Sequence, residues 1–405
     1  MTDVATAGAI ARMKTSVADA RSVLLAGVRD LAAPASGNVP GLDLLRSLAI
    51  LLVVSTHYYG EFATARGETL AIGRFPLIYF GWTGVDLFFV LSGYLIGRQL
   101  WRELVRRNTI NVPVFLLRRG LRIWPFYFAF LAWTYLRSSQ HASAFLPDVF
   151  FLSNYLHHSI AGGWSLSTEE QFYIFVPLLL LALSLIIRVR HQFIVLIGLL
   201  LALPLIRLWT LHLYPAGMSQ DAFRELIERP FHTHADGLLA GVLLSWLSVV
   251  HPRLLTPLPL GRNLRAPVAL AVAGLVLRGL YPRIFSFSGL ALIFGGLALF
   301  VLRDRSLFTR FASARAFYIT SRLSYGMYLN HFQVLPLCVP LFAKTSLNAY
   351  LAFFVGYPIA LLSSMTVAAV TFLTIESPFL QLRDQWLMKR RGRIPAARTD
   401  PSRAV

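Results

Sequence analysis

The sequence predicts an all-α protein, a polytopic membrane helix bundle of about ten transmembrane helices with both termini in the cytoplasm. Three observations predict it. Hydrophobic residues make up 56% of the 405, and mean hydropathy is +0.61. Charged residues make up only 14%, where a soluble domain carries about 25%. Apolar runs near the roughly 20 residues needed to cross a bilayer core recur along the chain.

The expected spans are 42–60, 77–97, 121–137, 169–187, 192–214, 234–250, 266–281, 286–302, 323–342 and 350–375. The stretch 145–160, FLPDVFFLSNYLHHSI, is too short and interrupted to cross, which suits a re-entrant or interfacial segment. With the amino terminus inside, 28 of the 38 Lys and Arg fall on cytoplasmic pieces and 7 on outer ones. That asymmetry sets both termini inside. It also absorbs most of the net charge of +19, which would otherwise suggest a nucleic-acid partner; none is expected.

The chain divides into a mobile cytoplasmic tail (1–40, rich in Ala, Ser and Thr), a membrane domain (41–380) and a basic cytoplasmic tail (381–405) ending KRRGRIPAARTDPSRAV. The basic tail suits anionic membrane lipid. The only cysteine is Cys338, so no intrachain disulfide and no Cys-based metal site is expected. The first 40 residues show no signal-peptide pattern, and no internal repeat or second globular domain is visible.

Chemistry concentrates in four stretches. In GLDLLRSLAILLVVSTHYYG (41–60), Arg46 and His57 lie eleven residues apart. At about 100° per residue they share one helix face, about 16 Å apart along the axis. Asp43, one turn before Arg46, is placed to pair with it. Ionisable groups inside a span mark a pathway or site; the bland alternative is snorkelling at the two interfaces. In FGWTGVDLFFVLSGYLIG (80–97), glycines favour close helix contact, and Asp86 needs a partner. In FLLRRGLRIWPFYF (115–128), Arg118, Arg119 and Arg122 form either a cytoplasmic charge cluster or a set of guanidinium forks for phosphate. In GGWSLSTEEQFYIFVP (162–177), Ser167 or Thr168 suits a helix cap, with Glu169 and Glu170 in the first turn or near a site.

Together these stretches resemble acyltransferase family three, the bacterial membrane O-acyltransferases that include O-antigen, exopolysaccharide and macrolide acylating enzymes. The resemblance rests on Arg46-x10-His57, the GxxGVDxFFxxSG block at 81–93, the basic run at 118–127 and WSLSxEEQFYxxxP at 164–177. It continues through LSYGMYLNHF (323–332) and IESPFL (375–380), covering roughly 41–380. Departures are Leu44 and Ser47 in place of a small-residue pair, Asn330 in place of an aromatic before His331, and RRG at 118–120, which sets the RxxR pair on Arg119 and Arg122.

The resemblance implies an acyl-CoA donor, usually acetyl-CoA, and a hydroxyl acceptor on a glycan, lipid-linked sugar or similar molecule. It also implies a multi-pass protein of the bacterial cytoplasmic (inner) membrane. No permanently bound cofactor and no metal are expected. His57 matches the family's catalytic histidine, Arg46 its motif partner, and Arg119 and Arg122 the residues at the donor pore. In the mechanism consistent with both readings, Arg119 and Arg122 receive the donor phosphates and neutral His57 deprotonates the acceptor. Glu169, or else Asp86, orients the imidazole, while Ser92 and Ser165 offer an acyl-enzyme alternative. A transporter or flippase of a glycan or lipid intermediate would also bury polar groups along a path. A non-catalytic scaffold would leave them idle.

Overall fold

A computed structural model describes residues 21–34, 39–156, 159–214, 217–256, 260–303 and 315–392. Among them all regular structure is helical, with no strand. Residues 21–32 form α1. The helices that follow are α2 (Pro40–Arg66), α3 (Gly84–Arg107), α4 (Val112–Arg137), α5 (Gly163–Ile186), α6 (Phe193–His212) and α7 (Asp236–Val250). Then come α8 (Arg265–Leu280), α9 (Pro282–Arg303), α10 (Arg315–Ala343) and α11 (Ala349–Thr371). A π-turn, Phe372–Glu376, leads from α11 into α12 (Ser377–Gly392).

Each of the ten expected segments overlaps one of the helices α2 to α11, with shifted ends. Among the described residues, five helical stretches are long and apolar enough to cross a membrane: Pro40–Arg66, Gly163–Ile186, Val189–His212, Pro282–Arg303 and Ala349–Met388. The others fall short for physical reasons. α7 and α8 have only 15 and 16 residues. α3, α4 and α10 carry more charged and polar side chains than an apolar span tolerates, among them the buried Asp86, Arg119 and Arg122 facing the cavity, and Arg322. α3 also begins later than the apolar run, at Gly84, because 76–79 and 81–83 form separate single turns.

α2 starts with Pro40 at its first turn and stops at Gly67, whose φ of +75° suits glycine at a helix end. No proline interrupts it. α2 runs beside α10, α3 and α9, so it is buried along most of its length. α3 and α7 cross closely at Gly93 and Gly241, where an added methyl would strike the facing backbone. Arg207, expected within a span, is fully buried on α6. Its guanidinium donates to both Asp236 oxygens, the Ser288 hydroxyl and the carbonyls of Thr233 and Ile284. Every N–H of that fork is therefore used.

The stretch 145–160 contains no long helix among its described residues. Two single turns, 142–145 and 146–149, lead into a loop packed over the ends of α4 and α5. Tyr127 donates to the Asp148 carbonyl, and the buried Asp148 side chain accepts from the Ser159 amide. The sequence-based tails differ from the structure in two places. α1, expected in a mobile tail, docks on the body: Gln381 donates to the Val23 carbonyl, and Tyr318 donates to the carbonyls of Asp30 and Ala33. Helix α12 carries regular structure to Gly392. Residues 1–20 and 393–405 lie outside the described residues.

Candidate active site

A cavity of about 300 Å³ lies between α2, α3, α4, α5 and α10. Four arginines line it: Arg46 from α2, Arg119 and Arg122 from α4, and Arg322 from α10. α5 contributes Ser165, Glu169, Glu170 and Tyr173, and α10 adds Tyr325 and Tyr328. The spacing explains the placement. Arg119 and Arg122 are one turn apart on α4, as are Ser165 and Glu169 on α5, so each pair turns to the same side.

Among the described residues, no carboxylate forms a direct ion pair with any of these four arginines. Arg119 donates to Gln99 (3.0 Å) and stacks between Phe115 and Tyr173, with its guanidinium carbon 5.7 and 5.9 Å from the ring centres. Arg322 lies 5.2 Å from the Phe372 ring centre, and its buried Nε has no hydrogen-bond partner. The two carboxylates are committed elsewhere: Tyr173 donates to Glu169 (2.8 Å) and Trp124 to Glu170 (3.1 Å). Guanidinium groups gathered without direct carboxylate partners in a partly closed space suit a multiply charged anion.

His57 points to the same side of α2 as Arg46 but lies toward the other end of the helix. It does not line the cavity. Its Nδ1 is 3.0 Å from Nε2 of His331 on α10, and Nδ1 of His331 is 3.1 Å from the Met327 carbonyl. A carbonyl only accepts, so Nδ1 of His331 carries hydrogen and, in the neutral ring, Nε2 accepts. Nδ1 of His57 then donates to it. This tautomer leaves Nε2 of His57 with a free lone pair, the state a general base requires.

The expected site residues are not all brought together. Arg46, Arg119, Arg122 and Glu169 meet at the cavity. Arg118 is not among the residues that line it. Glu169 sits among the arginines rather than beside His57, so it does not orient that ring. Asp86 does not either: it binds Nε2 of the buried His234 at 2.9 Å. Asp43 accepts from Ser321 (2.8 Å) instead of forming an ion pair with Arg46. Neither Ser167 nor Thr168 caps α5, which starts six residues before Glu169 behind Gly162; Ser167 pairs with Ser153, and Thr168 donates to the Arg229 carbonyl.

The sequence reading named His331 within the family's later motif without giving it a role, and it missed Arg322, Tyr328, Tyr173 and Ser165 as a hydrogen-bonding group. For His331 the signal was present, since a histidine within an apolar span deserves the same suspicion as His57. Arg322 was counted with the cytoplasmic charges because it precedes the apolar run by one residue.

The fold and the site define a helical protein, several of its helices apolar enough to cross a membrane, that gathers guanidinium groups without a carboxylate ion-pair partner among the described residues near one end of α2 and a histidine pair near the other. The chain belongs to acyltransferase family three: the family profile described as "Acyltransferase domain" matches residues 39–373. It is 25% identical to the peptidoglycan O-acetyltransferase OatA of Listeria monocytogenes over 384 residues, which is 84% of this chain and 55% of that protein. It is 31% identical over 175 residues to a protein of Staphylococcus aureus named "Putative O-acetyltransferase", covering 38% of this chain and 26% of that one. The chain thus spans about a quarter to about half the length of these curated relatives. No solved structure matches it significantly.

Proposed function

We propose that this protein is an O-acyltransferase of the bacterial cytoplasmic membrane that moves an acetyl group from acetyl-CoA to a hydroxyl of a cell-envelope glycan. The arrangement crosses the bilayer with about ten helices and keeps both termini inside, as the Lys and Arg asymmetry implies. The donor enters from the cytoplasm, and its diphosphate is held by Arg46, Arg119, Arg122 and Arg322. Glu169 and Glu170 balance part of that charge. The pantetheine arm extends toward His57.

One observation carries this reading: α2 presents Arg46 to the cavity and His57 to His331. The two lie about 16 Å apart along the axis. From the phosphorus to the acyl carbon of such a thioester there are fourteen bonds. At the reach of an extended chain, about 3.3–3.6 Å per three bonds, this is about 15–17 Å. A phosphopantetheine thioester held at Arg46 therefore brings its carbonyl to the histidines.

Nε2 of His57 takes the proton of the acceptor hydroxyl as its oxygen attacks the carbonyl. His331 orients the ring and accepts its other hydrogen. The departing thiolate recovers the proton from His57, giving free thiol and ester. The acceptor names of the relatives make peptidoglycan the first glycan to examine.

The test uses full-length protein in lipid nanodiscs, with acetyl-CoA and envelope fractions, reading thiol release and glycan acetyl mass. The parent releases thiol and esterifies a glycan. His57→Ala loses at least about 100-fold in kcat, at the low end of a base's usual share. Parent protein that releases no thiol but moves a glycan across the bilayer would make this a transporter. An active His57→Ala variant would remove the base assignment.

A further inference from the structure

Two hydroxyl groups that the mechanism above does not use line the donor cavity, one of them on a residue that also touches the histidine pair. The Tyr328 hydroxyl and Ser165 Oγ are 2.5 Å apart, both residues are buried, and both line the cavity. Each also reaches the Gly162 carbonyl, Ser165 at 3.1 Å and Tyr328 at 3.3 Å. Three contacts share two hydrogens, so the resting pair can rearrange without losing all its bonds. Tyr328 stands one turn before His331 on α10, with ring centres 5.8 Å apart.

We infer that Tyr328, assisted by Ser165, is the oxyanion donor of the transfer reaction. This rests on the acyl-transfer reading given above. Tyr328 both lines the cavity and lies beside His331, the partner of His57, so its hydroxyl is placed to meet a carbonyl delivered from the cavity toward His57. As the acceptor oxygen bonds to the carbonyl carbon, the C=O electron pair moves onto oxygen. The Tyr328 O–H turns from the Gly162 carbonyl to that oxygen, while Ser165 donates to the Tyr328 oxygen. When the carbonyl re-forms, the C–S bond breaks and the thiolate takes the proton held by His57. Tyr328 and Ser165 keep their own hydrogens throughout. The amino-terminal end of α5, which begins at Gly163, adds positive potential at the same place.

The same geometry argues against an acyl group carried on either hydroxyl. A nucleophile needs a base. Both ring nitrogens of His331 are occupied, by the Met327 carbonyl and by His57. The hydroxyls' own partners are each other and a backbone carbonyl. They are built to donate, not to be deprotonated.

Full-length parent, Tyr328→Phe and Ser165→Ala proteins in nanodiscs are compared for kcat, donor KM and acetyl-CoA Kd. Tyr328→Phe is expected to lower kcat by about 10²–10³-fold, the cost of losing one such donor. Its donor KM and Kd should stay within about twofold, and Ser165→Ala should lose less. Replacing Tyr328 with 3-fluorotyrosine, which keeps the hydroxyl, should restore kcat even if the Phe variant folds poorly. A Tyr328→Phe kcat within twofold of an active parent would overturn the inference. So would an acetyl adduct on Tyr328 or Ser165 trapped by rapid quench and mass spectrometry. An inactive parent would instead remove the acyl-transfer reading itself.

Discussion

Arg322 lies at one edge of the arginine group, against Phe372, and its Nε lacks a partner. If the four guanidinium groups share one anionic donor, each should contribute to binding rather than to chemistry. Arg322→Gln is expected to raise donor KM about 10- to 150-fold, the loss of one charge-assisted hydrogen bond at about 1.5–3 kcal/mol. kcat at saturation should stay within threefold. Steady-state kinetics over a donor series checks this, and an unchanged KM would show that Arg322 serves only to place α10. His331 offers a complementary experiment. Replacing it with Ala removes the acceptor for the His57 N–H, so kcat should fall while donor KM holds. At this scale the sequence showed only what sits within one helix. Arg46 and His57 were legible because eleven residues is almost a whole number of turns. The His57–His331 bond joins residues 274 positions apart, which no local periodicity encodes. A carboxylate was the reasonable partner to expect, but Glu169 accepts from Tyr173 and Asp86 pairs with His234.

Helix positions were the most readable feature of the chain, because each expected apolar run matches one helix. Helix ends were less readable. α5 begins at Gly163, not behind Ser167 or Thr168, because Gly162 adopts a left-handed conformation that ends the preceding loop. The fused start lets Ser165 sit inside the helix and face Tyr328. Between helices, the joint most exposed to test is Arg207 of α6 with Asp236 of α7 and Ser288 of α9. Both charged side chains are fully buried. Asp236→Asn leaves the guanidinium without a counter-charge, and the expected loss is about 3–5 kcal/mol of stability. Replacing Arg207 by Met and Asp236 by Leu together should cost less than the single change. Chemical unfolding in detergent micelles measures both, and equal losses would show that the pair is not coupled.

For the whole molecule, the orientation makes a clear prediction. In a Cys338→Ser background, Lys344→Cys lies in a short loop expected outside and Arg383→Cys on α12 is expected inside. A membrane-impermeant maleimide should label the first in intact cells and the second only after permeabilisation. The reverse pattern would invert the bundle and place the arginine cavity on the wrong side for a cytoplasmic donor. Composition and charge asymmetry made the membrane class legible from the outset. They did not show that the amino-terminal helix α1 docks on α10 and α12, because that contact joins Val23 to Gln381 across nearly the full chain.

An uninterrupted α2 has one further consequence. Adding a single residue between Arg46 and His57 would swing the imidazole by about 100° and advance it by about 1.5 Å. The histidine would leave its partner long before the reach had changed usefully. Only insertions near a full turn restore the direction, and each lengthens the reach by about 5.4 Å. The separation between the anchoring end and the reacting end is therefore stepped, not continuous. On the proposed acyl-transfer reading, a protein of this build tunes the acyl chain it accepts by reshaping side chains and does not drift gradually toward a donor with a longer or shorter tether.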